Sequence, residues 1–364
     1  MKIVALKERA KLEARTAITP EVAKLYIKKG HVILVEKDIG DRAGFADQLY
    51  IDAGAQISAV ALEILADADI ILKVQPSPLS AEINEIDYAR SGAIILGMLS
   101  PHANFDYLKK MTAKGACGIA MELVPRITRA QNMDVLSSQS NLAGYRAVLE
   151  AAYNFDRIFP MMMTAAGTIS PAKVLILGVG VAGLQAIATA KRLGAAVFAY
   201  DVRSITREQV ESLGAKFIAP EIVVSDMEDK SGYAKERSEA DKVGQEQFLA
   251  SVIRNYDIII TTAQIPGKPA PRLITSEMLD LIKPGSVIVD MATASGGNVE
   301  GSKLDEVMIR KGVKIIGWSN LAGKIAADSS KLYAKNLYNF LEHAIKDGKF
   351  DFDDEIVKQM LVRG

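Results

Sequence analysis

The stretch Lys173–Asp201, KVLILGVGVAGLQAIATAKRLGAAVFAYD, decides the fold of this chain. A four-residue apolar run enters a turn with glycines at 178, 180 and 183, an amphipathic helix follows, and a second apolar strand ends on Asp201. This order of strand, glycine turn, helix and acid-terminated strand is typical of a dinucleotide-binding βαβ unit. Gly178 permits a tight turn, Gly180 lets the backbone approach a pyrophosphate, and Gly183 lets the helix pack closely on the strand.

The same motif indicates which dinucleotide is bound. The pyrophosphate would rest on N–H groups at the helix start, where the macrodipole favours negative charge. Asp201 can accept hydrogen bonds from both ribose hydroxyls, and its charge would repel a 2′-phosphate. We therefore expect NAD(H) and not NADP(H). A membrane span over residues 174–190 is the alternative, but seventeen residues with three glycines and Gln185 are a poor span.

Composition limits the possible functions. A chain of 364 residues is long enough for two domains. Lys plus Arg equals Asp plus Glu at 44 each, so no basic field exists to gather nucleic acid. The single Cys117 excludes an intramolecular disulfide and fits a reducing compartment. Three histidines and one cysteine are too few and too scattered for a metal site, and the N-terminus has too short an apolar core for a signal peptide.

Two series of alternating strands and helices run along the chain. The first predicts strands at Ile3–Leu6, Val32–Glu36, Ile70–Val74, Ile94–Leu99 and Ala116–Met121. The second predicts strands at 174–178, 196–201, 215–218, 257–262, 286–291 and 313–317. Long helical segments lie between the two series and after the second. The fold class expected is α/β, with two doubly wound parallel-sheet (Rossmann-like) domains linked by long helices and separated by a cleft.

The helical segment after the second series is expected to return to the first domain. The predicted N-terminal α/β domain is therefore discontinuous, with residues 1–135 and 327–364. The predicted Rossmann NAD(H)-binding domain comprises residues 136–326. The charged segment Ser225–Gln247 is long for a connection inside a compact domain, so it is either disordered surface or a mobile lid. Tyr233 in the middle of it favours the lid.

The segment Arg126–Val148, RITRAQNMDVLSSQSNLAGYRAV, resembles the signature of the NAD(H)-binding component of proton-translocating nicotinamide nucleotide transhydrogenases. The glycine motif GVGVAGLQAIATAKRLGA is similar to that family, and so are SGYAKE, TTAQIPGKPAPRLIT, KPGSVIVDMA and GGN, in the same order. The resemblance covers nearly the whole chain. Alanine dehydrogenase is a related family that shares the two-domain fold.

The resemblance implies which residues act. Arg126, Gln131, Asp134 and Ser137 would line the cleft near the nicotinamide ring. Hydride would pass directly between two nicotinamides, so no general acid or base is required, and the site must hold the rings and exclude water. Without the resemblance, capping of a helix start and surface salt bridging would be the favoured roles of these residues. The residues expected to bind NAD(H) are Gly178, Gly180, Val181, Ala182, Gly183, Asp201, Val202, Arg203, Tyr233, Ala234, Thr262, Ala263 and Gln264.

The resemblance also implies partners. NADP(H) would be held by a separate component, a membrane component would move the protons, and the chain would be a homodimer on the cytoplasmic face of the cell membrane. No hydrophobic span occurs before Gly364, so we expect the membrane and NADP(H) components on other polypeptides, unless the chain is a fragment. No nucleic acid and no metal are expected.

The chain departs from the family pattern at two places, and two other functions stay open. Relatives often have an acidic or amide side chain where Ala294 stands, and a more polar stretch where Trp318 lies. Alanine dehydrogenase would need a cationic clamp, for which Arg15 and Lys73 are placed, and a histidine. The position of that histidine matches Ser100, with His102 two residues away. A non-catalytic NAD(H)-binding protein is the other possibility, since a fold does not dictate a function.

Overall fold

The computed structural model describes residues 1–220, 239–265 and 267–363, with side chains except at 239–242. The chain divides into two compact units. The first is Met1–Gln139 with Ala322–Gly364, and the second is Ser140–Leu321. The predicted domain boundaries at 135/136 and 326/327 stay a prediction.

The first unit contains a mostly parallel sheet. In its described part the order of the seven strands is β18-β6-β5-β4-β1-β2-β3. All neighbours are parallel except β18, which runs antiparallel to β6. The strands are β1 (Lys2–Ala5), β2 (Val32–Glu36), β3 (Gln56–Ser58), β4 (Ile70–Leu72), β5 (Ile94–Gly97), β6 (Cys117–Ala120) and β18 (Leu361–Val362).

Helices cover both faces of this sheet. Because successive strand residues point to opposite faces, Ile3 and Ala5 pack in one core cluster with Tyr333 and Phe340. Val4 and Leu6 pack in the other cluster, with Leu65 and Met111. The helices of this unit are α1 (Pro20–Lys28), α2 (Asp47–Asp52), α3 (Ala61–Leu65), α4 (Glu85–Tyr88), α5 (Phe105–Ala113), α11 (Ala326–Ala344) and α12 (Glu355–Met360). A short antiparallel pair, β16 (Ile345–Lys346) and β17 (Lys349–Phe350), follows α11.

The second unit repeats this architecture. Its described strands lie in the order β11-β10-β9-β12-β13-β15-β14, and only β14 is antiparallel to its neighbour. Without the antiparallel edge strands, both sheets have the doubly wound order 3-2-1-4-5-6. The strands are β9 (Lys173–Leu177), β10 (Ala196–Tyr200), β11 (Lys216–Phe217), β12 (Ile258–Thr261), β13 (Val287–Asp290), β14 (Val307–Arg310) and β15 (Val313–Ile316).

Helices again lie on both faces of the second sheet. Val174 and Ile176 of β9 pack with Ala186 and Ala190, whereas Leu175 packs on the other face with a cluster that includes Leu249. The helices are α7 (Val181–Arg192), α8 (Thr206–Ser212), α9 (Glu239–Val252) and α10 (Ser276–Leu279). The long α6 (Val135–Asn154) begins in the first unit and ends in the second. The predicted fold class, two doubly wound α/β domains, is confirmed.

A separate β-hairpin precedes the second sheet. It consists of β7 (Met162–Thr164) and β8 (Gly167–Ile169), which pair only with each other among the described residues. All six residues of the two strands are exposed. Across the residues that the structure describes, no helix has the length and apolar character needed to cross a membrane.

Candidate nucleotide-binding site

The glycine turn after β9 lies at the switch point of the second sheet. Gly178 has a φ of +98°, and a Cβ there would lie 2.7 Å from the Thr262 hydroxyl oxygen. A Cβ at Gly183 would lie 2.0 Å from the carbonyl oxygen of Gly178. Only glycine fits either position, because one needs left-handed backbone and the other a very close approach of α7 to the turn. β9 and β12 are the neighbours at which the strand order reverses. Open α/β sheets bind their ligands at such a switch point.

Gly180 differs from the other two glycines. A Cβ added to Gly180 would meet no atom within 4 Å, so the space beside this residue is open. Gly180 is the N-cap of α7, and no side chain caps this helix start. The N–H groups of Val181, Ala182 and Gly183 form the first turn of the twelve-residue helix. An open space at an uncapped helix N-terminus fits a pyrophosphate.

The acid at the end of β10 has a partner that the sequence did not suggest. Oδ2 of Asp201 accepts a hydrogen bond from Val179 N at 2.7 Å, and Oδ1 accepts one from Arg203 N at 2.9 Å. The guanidinium of Arg203 donates from Nε to Oδ1 and from Nη2 to Oδ2, both at 3.0 Å. The carboxylate expected to bind ribose hydroxyls is therefore held in a two-pronged ion pair. Val202 lies between the two and is half-buried.

The loop after β12 completes the described part of the site. Thr262 Oγ1 donates to the carbonyl of Gly178 at 2.9 Å, which joins the ends of β9 and β12. Ala263 follows, and Gln264 Nε2 donates to the carbonyl of Met291 at 2.9 Å. Two of the residues expected to bind the nucleotide, Tyr233 and Ala234, lie outside the described residues, and so do the lid expected around Tyr233 and Pro266 of the Gln264–Gly267 loop.

Two buried polar residues that support this loop were not among the expected site residues. Asn298 Nδ2 donates to the carbonyls of Ala263 at 2.9 Å and Pro271 at 2.8 Å. The carboxylate of Asp290, at the end of β13, accepts from Asn298 N, from two further backbone N–H groups and from two hydroxyls. Both side chains are fully buried. The signal in the sequence was an acid at the end of an apolar run, followed by GGN. An acid that is buried at a strand end must accept hydrogen bonds from nearby donors.

A third residue was missed as a positioning element. A Cβ on Gly144 of α6 would lie 2.1 Å from the carbonyl oxygen of Ala182. Glycine at this position therefore lets α6 touch the first turn of α7. The signal was the glycine inside an otherwise helical pattern, which costs helix stability unless close packing requires it.

The signature residues lie in the first unit. Arg126 and Gln131 are exposed, while Asp134 and Ser137 are half-buried. Asp134 precedes α6 and accepts from Ser137 N at 2.9 Å and from the Ser137 hydroxyl. The structure brings Asp134 and Ser137 together as a cap of the helix start. Their role toward a nicotinamide, and that of Arg126 and Gln131, stays a prediction.

The two cations considered for an acid clamp are buried and paired with carboxylates of the same unit. Arg15 makes an ion pair with Glu13 at 2.6 Å. Lys73 Nζ lies 3.3 Å from Glu8 and 3.9 Å from Glu85. Burial raises the pKa of the Glu8 carboxyl to about 6, although the attraction of Lys73 opposes this shift. Burial also acts on Glu85, but Lys73 and hydrogen bonds keep the pKa of that carboxyl below its usual value.

The position expected for a proton-transfer histidine is occupied by Ser100. Its backbone has a φ of +47°, and its N–H donates to the carboxylate of Glu122. The displaced His102 is exposed. Within the described ranges no group of three or more His, Cys, Asp or Glu side chains could hold a metal ion.

The fold and the glycine turn define a doubly wound α/β chain with a candidate dinucleotide site in its second unit. Comparison with known proteins specifies the class. The model of the alanine dehydrogenase/PNT N-terminal domain matches residues 4–143, and that of the C-terminal domain matches residues 147–363. The chain therefore belongs to the alanine dehydrogenase/PNT family.

Within the family the chain is similar to transhydrogenase subunits over its whole length. An NAD(P) transhydrogenase subunit alpha polypeptide of Rickettsia prowazekii (strain Madrid E) is 62% identical over 362 residues, which are 100% of this chain and 94% of that protein. A crystal structure of transhydrogenase from Sinorhizobium meliloti superposes with a TM-score of 0.90 at 46% identity, covering 100% of this chain and 98% of that one. Alanine dehydrogenase of Halomonas elongata (strain ATCC 33173 / DSM 2581 / NBRC 15536 / NCIMB 2198 / 1H9) is 30% identical and covers 91% of this chain and 84% of that protein. The chain is thus a component of an oxidoreductase of the transhydrogenase type.

Proposed function

We propose that this chain is the NAD(H)-binding component of a proton-translocating transhydrogenase. It binds NAD(H) in its second unit, and hydride passes directly between that nicotinamide and the nicotinamide of NADP(H) on a partner component. A membrane component couples this transfer to proton movement. The chain itself sits at the cytoplasmic face of the membrane through its partners.

One observation carries the NAD(H) proposal. The turn at Gly178 lies at the switch point, the space beside Gly180 is open, and α7 starts there without a side-chain cap. A pyrophosphate bound at this place would receive the N–H groups of the first helical turn. The carboxylate of Asp201 lies one strand away, at the end of β10, where the adenosine ribose of a dinucleotide would reach it.

The signature residues have a positioning role in this proposal. Bound NAD(H) supplies the hydride, and no proton is added to or removed from either ring in that step. A nicotinamide carboxamide has two donors and one acceptor. The guanidinium of Arg126, the carboxylate of Asp134 and the hydroxyl of Ser137 are groups that could bind it, and Gln131 would reach toward the second nucleotide. Orientation of the ring is the contribution expected from them.

We also propose that the chain is a homodimer, with a second copy covering the hairpin β7–β8. Met162 and Ile169 are 44% and 42% exposed, and Met163 is 77% exposed. A two-stranded hairpin is marginally stable in water, and clustered exposed apolar side chains mark an interaction site. A second copy would supply an apolar partner surface, which this hairpin lacks among the residues that the structure describes.

Hydride transfer tests the proposed function. The purified chain is mixed with NADH, an NADP analogue and a purified NADP(H)-binding transhydrogenase component, and transfer is followed by absorbance. We expect transfer only when both proteins are present. Ser137→Ala should slow transfer with little change in the dissociation constant of NADH. Ser138→Ala removes a neighbouring hydroxyl, which bonds to Val135 and Asn336, and serves as the matched control.

The same preparation distinguishes the other functions. Alanine dehydrogenase activity would appear as NADH oxidation by pyruvate and ammonia without a partner. We expect none, because Arg15 and Lys73 are paired within the chain and Ser100 stands at the histidine position. Pyruvate-dependent oxidation, together with no transfer to a competent partner, would refute the proposal. Binding of NADH with neither activity would indicate a non-catalytic protein.

A further inference from the structure

The carboxylate of Asp201 has no acceptor position to spare. It receives two backbone N–H groups, from Val179 and Arg203, and two N–H groups of the Arg203 guanidinium. An ionised carboxylate offers about four lone-pair sites. Ribose hydroxyls can therefore bind Asp201 only if some of these donors leave.

The guanidinium is the donor pair that can leave. The N–H of Val179 belongs to the glycine turn, which is fixed by the bond from Gly178 N to the Tyr200 carbonyl at 2.9 Å. The N–H of Arg203 is part of the backbone that follows β10. By contrast, the guanidinium ends a long side chain with several rotatable bonds. Its departure also breaks the hydrogen bond from Nη2 to the Val179 carbonyl at 3.1 Å. Side-chain rotation frees two acceptor positions without moving the backbone.

The pair also changes the charge that a nucleotide meets. The side chains of Asp201 and Arg203 are 7% and 16% exposed, so solvent screens their charges weakly. Asp201 alone would present a negative charge to a 2′-phosphate, but the charges of Asp201 and Arg203 cancel each other within the pair. Arginine is the side chain best suited to bind a phosphate through two parallel N–H groups.

We infer that Arg203 sets the discrimination between NAD(H) and NADP(H) together with Asp201. Arg203 covers the carboxylate until a ribose diol displaces the guanidinium, and Asp201 in turn keeps the arginine from binding a 2′-phosphate. The inference rests on the proposed function, since it assumes that the adenosine ribose of NAD(H) binds at Asp201. Selectivity is then a property of the pair: loss of the acid favours NADPH, and loss of the arginine favours NADH.

Removal of the acid is the first test. Asp201→Asn keeps an acceptor for Val179 N but cannot hold the two-pronged guanidinium. The dissociation constants of NADH and NADPH are measured by titration calorimetry. We expect NADH binding to weaken about tenfold and NADPH binding to strengthen about tenfold, the factor given by one charge-assisted hydrogen bond. In Asp201→Asn combined with Arg203→Ala, the gain in NADPH binding should disappear.

Removal of the arginine is the second test, and it keeps the carboxylate that caps the glycine turn. Arg203→Ala should raise the ratio of the NADPH to the NADH dissociation constant about tenfold. Glu208→Gln, an exposed residue of α8, changes the charge of the same unit as Asp201→Asn does and should leave the ratio unchanged. Circular dichroism reports whether each variant is folded.

The outcomes separate this inference from the proposed function. If the wild-type chain does not bind NADH, the proposed function fails and the inference falls with it. If the wild-type chain binds NADH, two results overturn the inference alone. One is an unchanged selectivity ratio in Arg203→Ala. The other is equal NADPH binding by Asp201→Asn with and without Arg203→Ala.

Discussion

Gly180 and Gly183 of the glycine turn have separable physical roles, and single alanine substitutions distinguish them. At Gly183 a Cβ would lie 2.0 Å from the Gly178 carbonyl oxygen, which is a backbone atom and cannot move freely. We expect Gly183→Ala to lower the free energy of unfolding by about 1–3 kcal/mol, the usual cost of overpacking. Gly180 has a φ of −86° and open space around it, so an alanine there is not strained. Because alanine is a poorer N-cap than glycine but restricts the unfolded chain more, the two effects should offset each other, and Gly180→Ala should change stability by less than about 1 kcal/mol.

The effect on NADH binding should be the reverse of the effect on stability. If a pyrophosphate approaches the backbone at Gly180, the added methyl group occupies its place, and Gly180→Ala should weaken NADH binding at least tenfold while the protein stays folded. Denaturant unfolding and NADH titration measure the two quantities. Tight NADH binding by Gly180→Ala would contradict the assignment of this residue to the pyrophosphate site.

At the residue scale, the roles of two glycines could be predicted from the sequence, whereas the partners of the polar side chains could not. The roles of Gly178 and Gly183 follow from spacing alone, because a positive φ and a close backbone approach both require the absence of a Cβ. Arg203 was expected among the nucleotide-binding residues, but its ion pair with Asp201 was not. The choice between solvent, ligand and a neighbouring carboxylate depends on the rotamer of a long side chain, which spacing does not determine. Asn298 was missed for a different reason, because its partners are backbone carbonyls of a loop that is distant in the sequence.

At the scale of elements, the central strands of the two large sheets were predictable and most of their edge strands were not. Every run predicted as a strand overlaps a strand of one of the two sheets, because strands buried on both faces read as continuous apolar runs. The missed strands of the two large sheets are β3, β14 and β18, which are three of their four edge strands, whereas the fourth, β11, was predicted. Val307–Arg310 alternates between exposed and half-buried positions, and β18 has only two residues. Neither carries a distinct apolar pattern, so pairing with a neighbour decides their conformation.

The ends of β1 and β4 hold a buried ion pair that makes the first unit sensitive to pH. Oε1 of Glu8 accepts from Val74 N at 2.7 Å, and its carboxylate lies beside Lys73. Burial raises the pKa of the Glu8 carboxyl from 4.5 to about 6. The folded protein therefore binds this proton more tightly than the unfolded chain does. The contribution to stability is fully present below about pH 4.5 and is lost as the pH rises through about 6.

Glu8→Gln tests this effect. A difference of that size in pKa corresponds to about 2 kcal/mol, at 1.36 kcal/mol per unit. We expect the difference in unfolding free energy between wild type and variant to change by about this amount between about pH 3.5 and pH 7, with most of the change between about pH 4.5 and 6. Glu85, whose pKa is lowered, acts in the opposite direction and at lower pH. Urea unfolding at a series of pH values measures the difference, and a constant difference across the window would contradict the prediction.

At the scale of the whole molecule, two sheets with the same strand order have different switch points. In the second unit the chain leaves β9 through glycines and keeps an open space beside Gly180. In the first unit it leaves β1 through Leu6 and Lys7 to Glu8, whose carboxylate bonds to the backbone after β4. A side chain and its ion pair thus fill the place where an open α/β sheet would bind a ligand. The sequence distinguishes the two because only one series carries the glycine spacing.

The hairpin β7–β8 provides the test of the assembly. Met162 and Met163 are both exposed in the single chain, and methionine adapts well to a partner surface. Met162→Asp together with Met163→Asp would place two charges in the proposed contact, where desolvation opposes them. We expect the variant to be a monomer by analytical ultracentrifugation at concentrations where the wild type is a dimer. Folding should be retained, because neither side chain contributes to a buried core cluster.

Phe105→Asp is the matched control for that experiment. Phe105 is 66% exposed at the start of α5, so an aspartate there replaces an exposed apolar side chain without touching the hairpin. An acid in the first turn also suits the helix dipole. This control should remain a dimer. A wild-type monomer would exclude the proposed dimer. A hairpin variant as dimeric as the control would place the contact elsewhere, because burial of two charges in a dry apolar interface costs free energy.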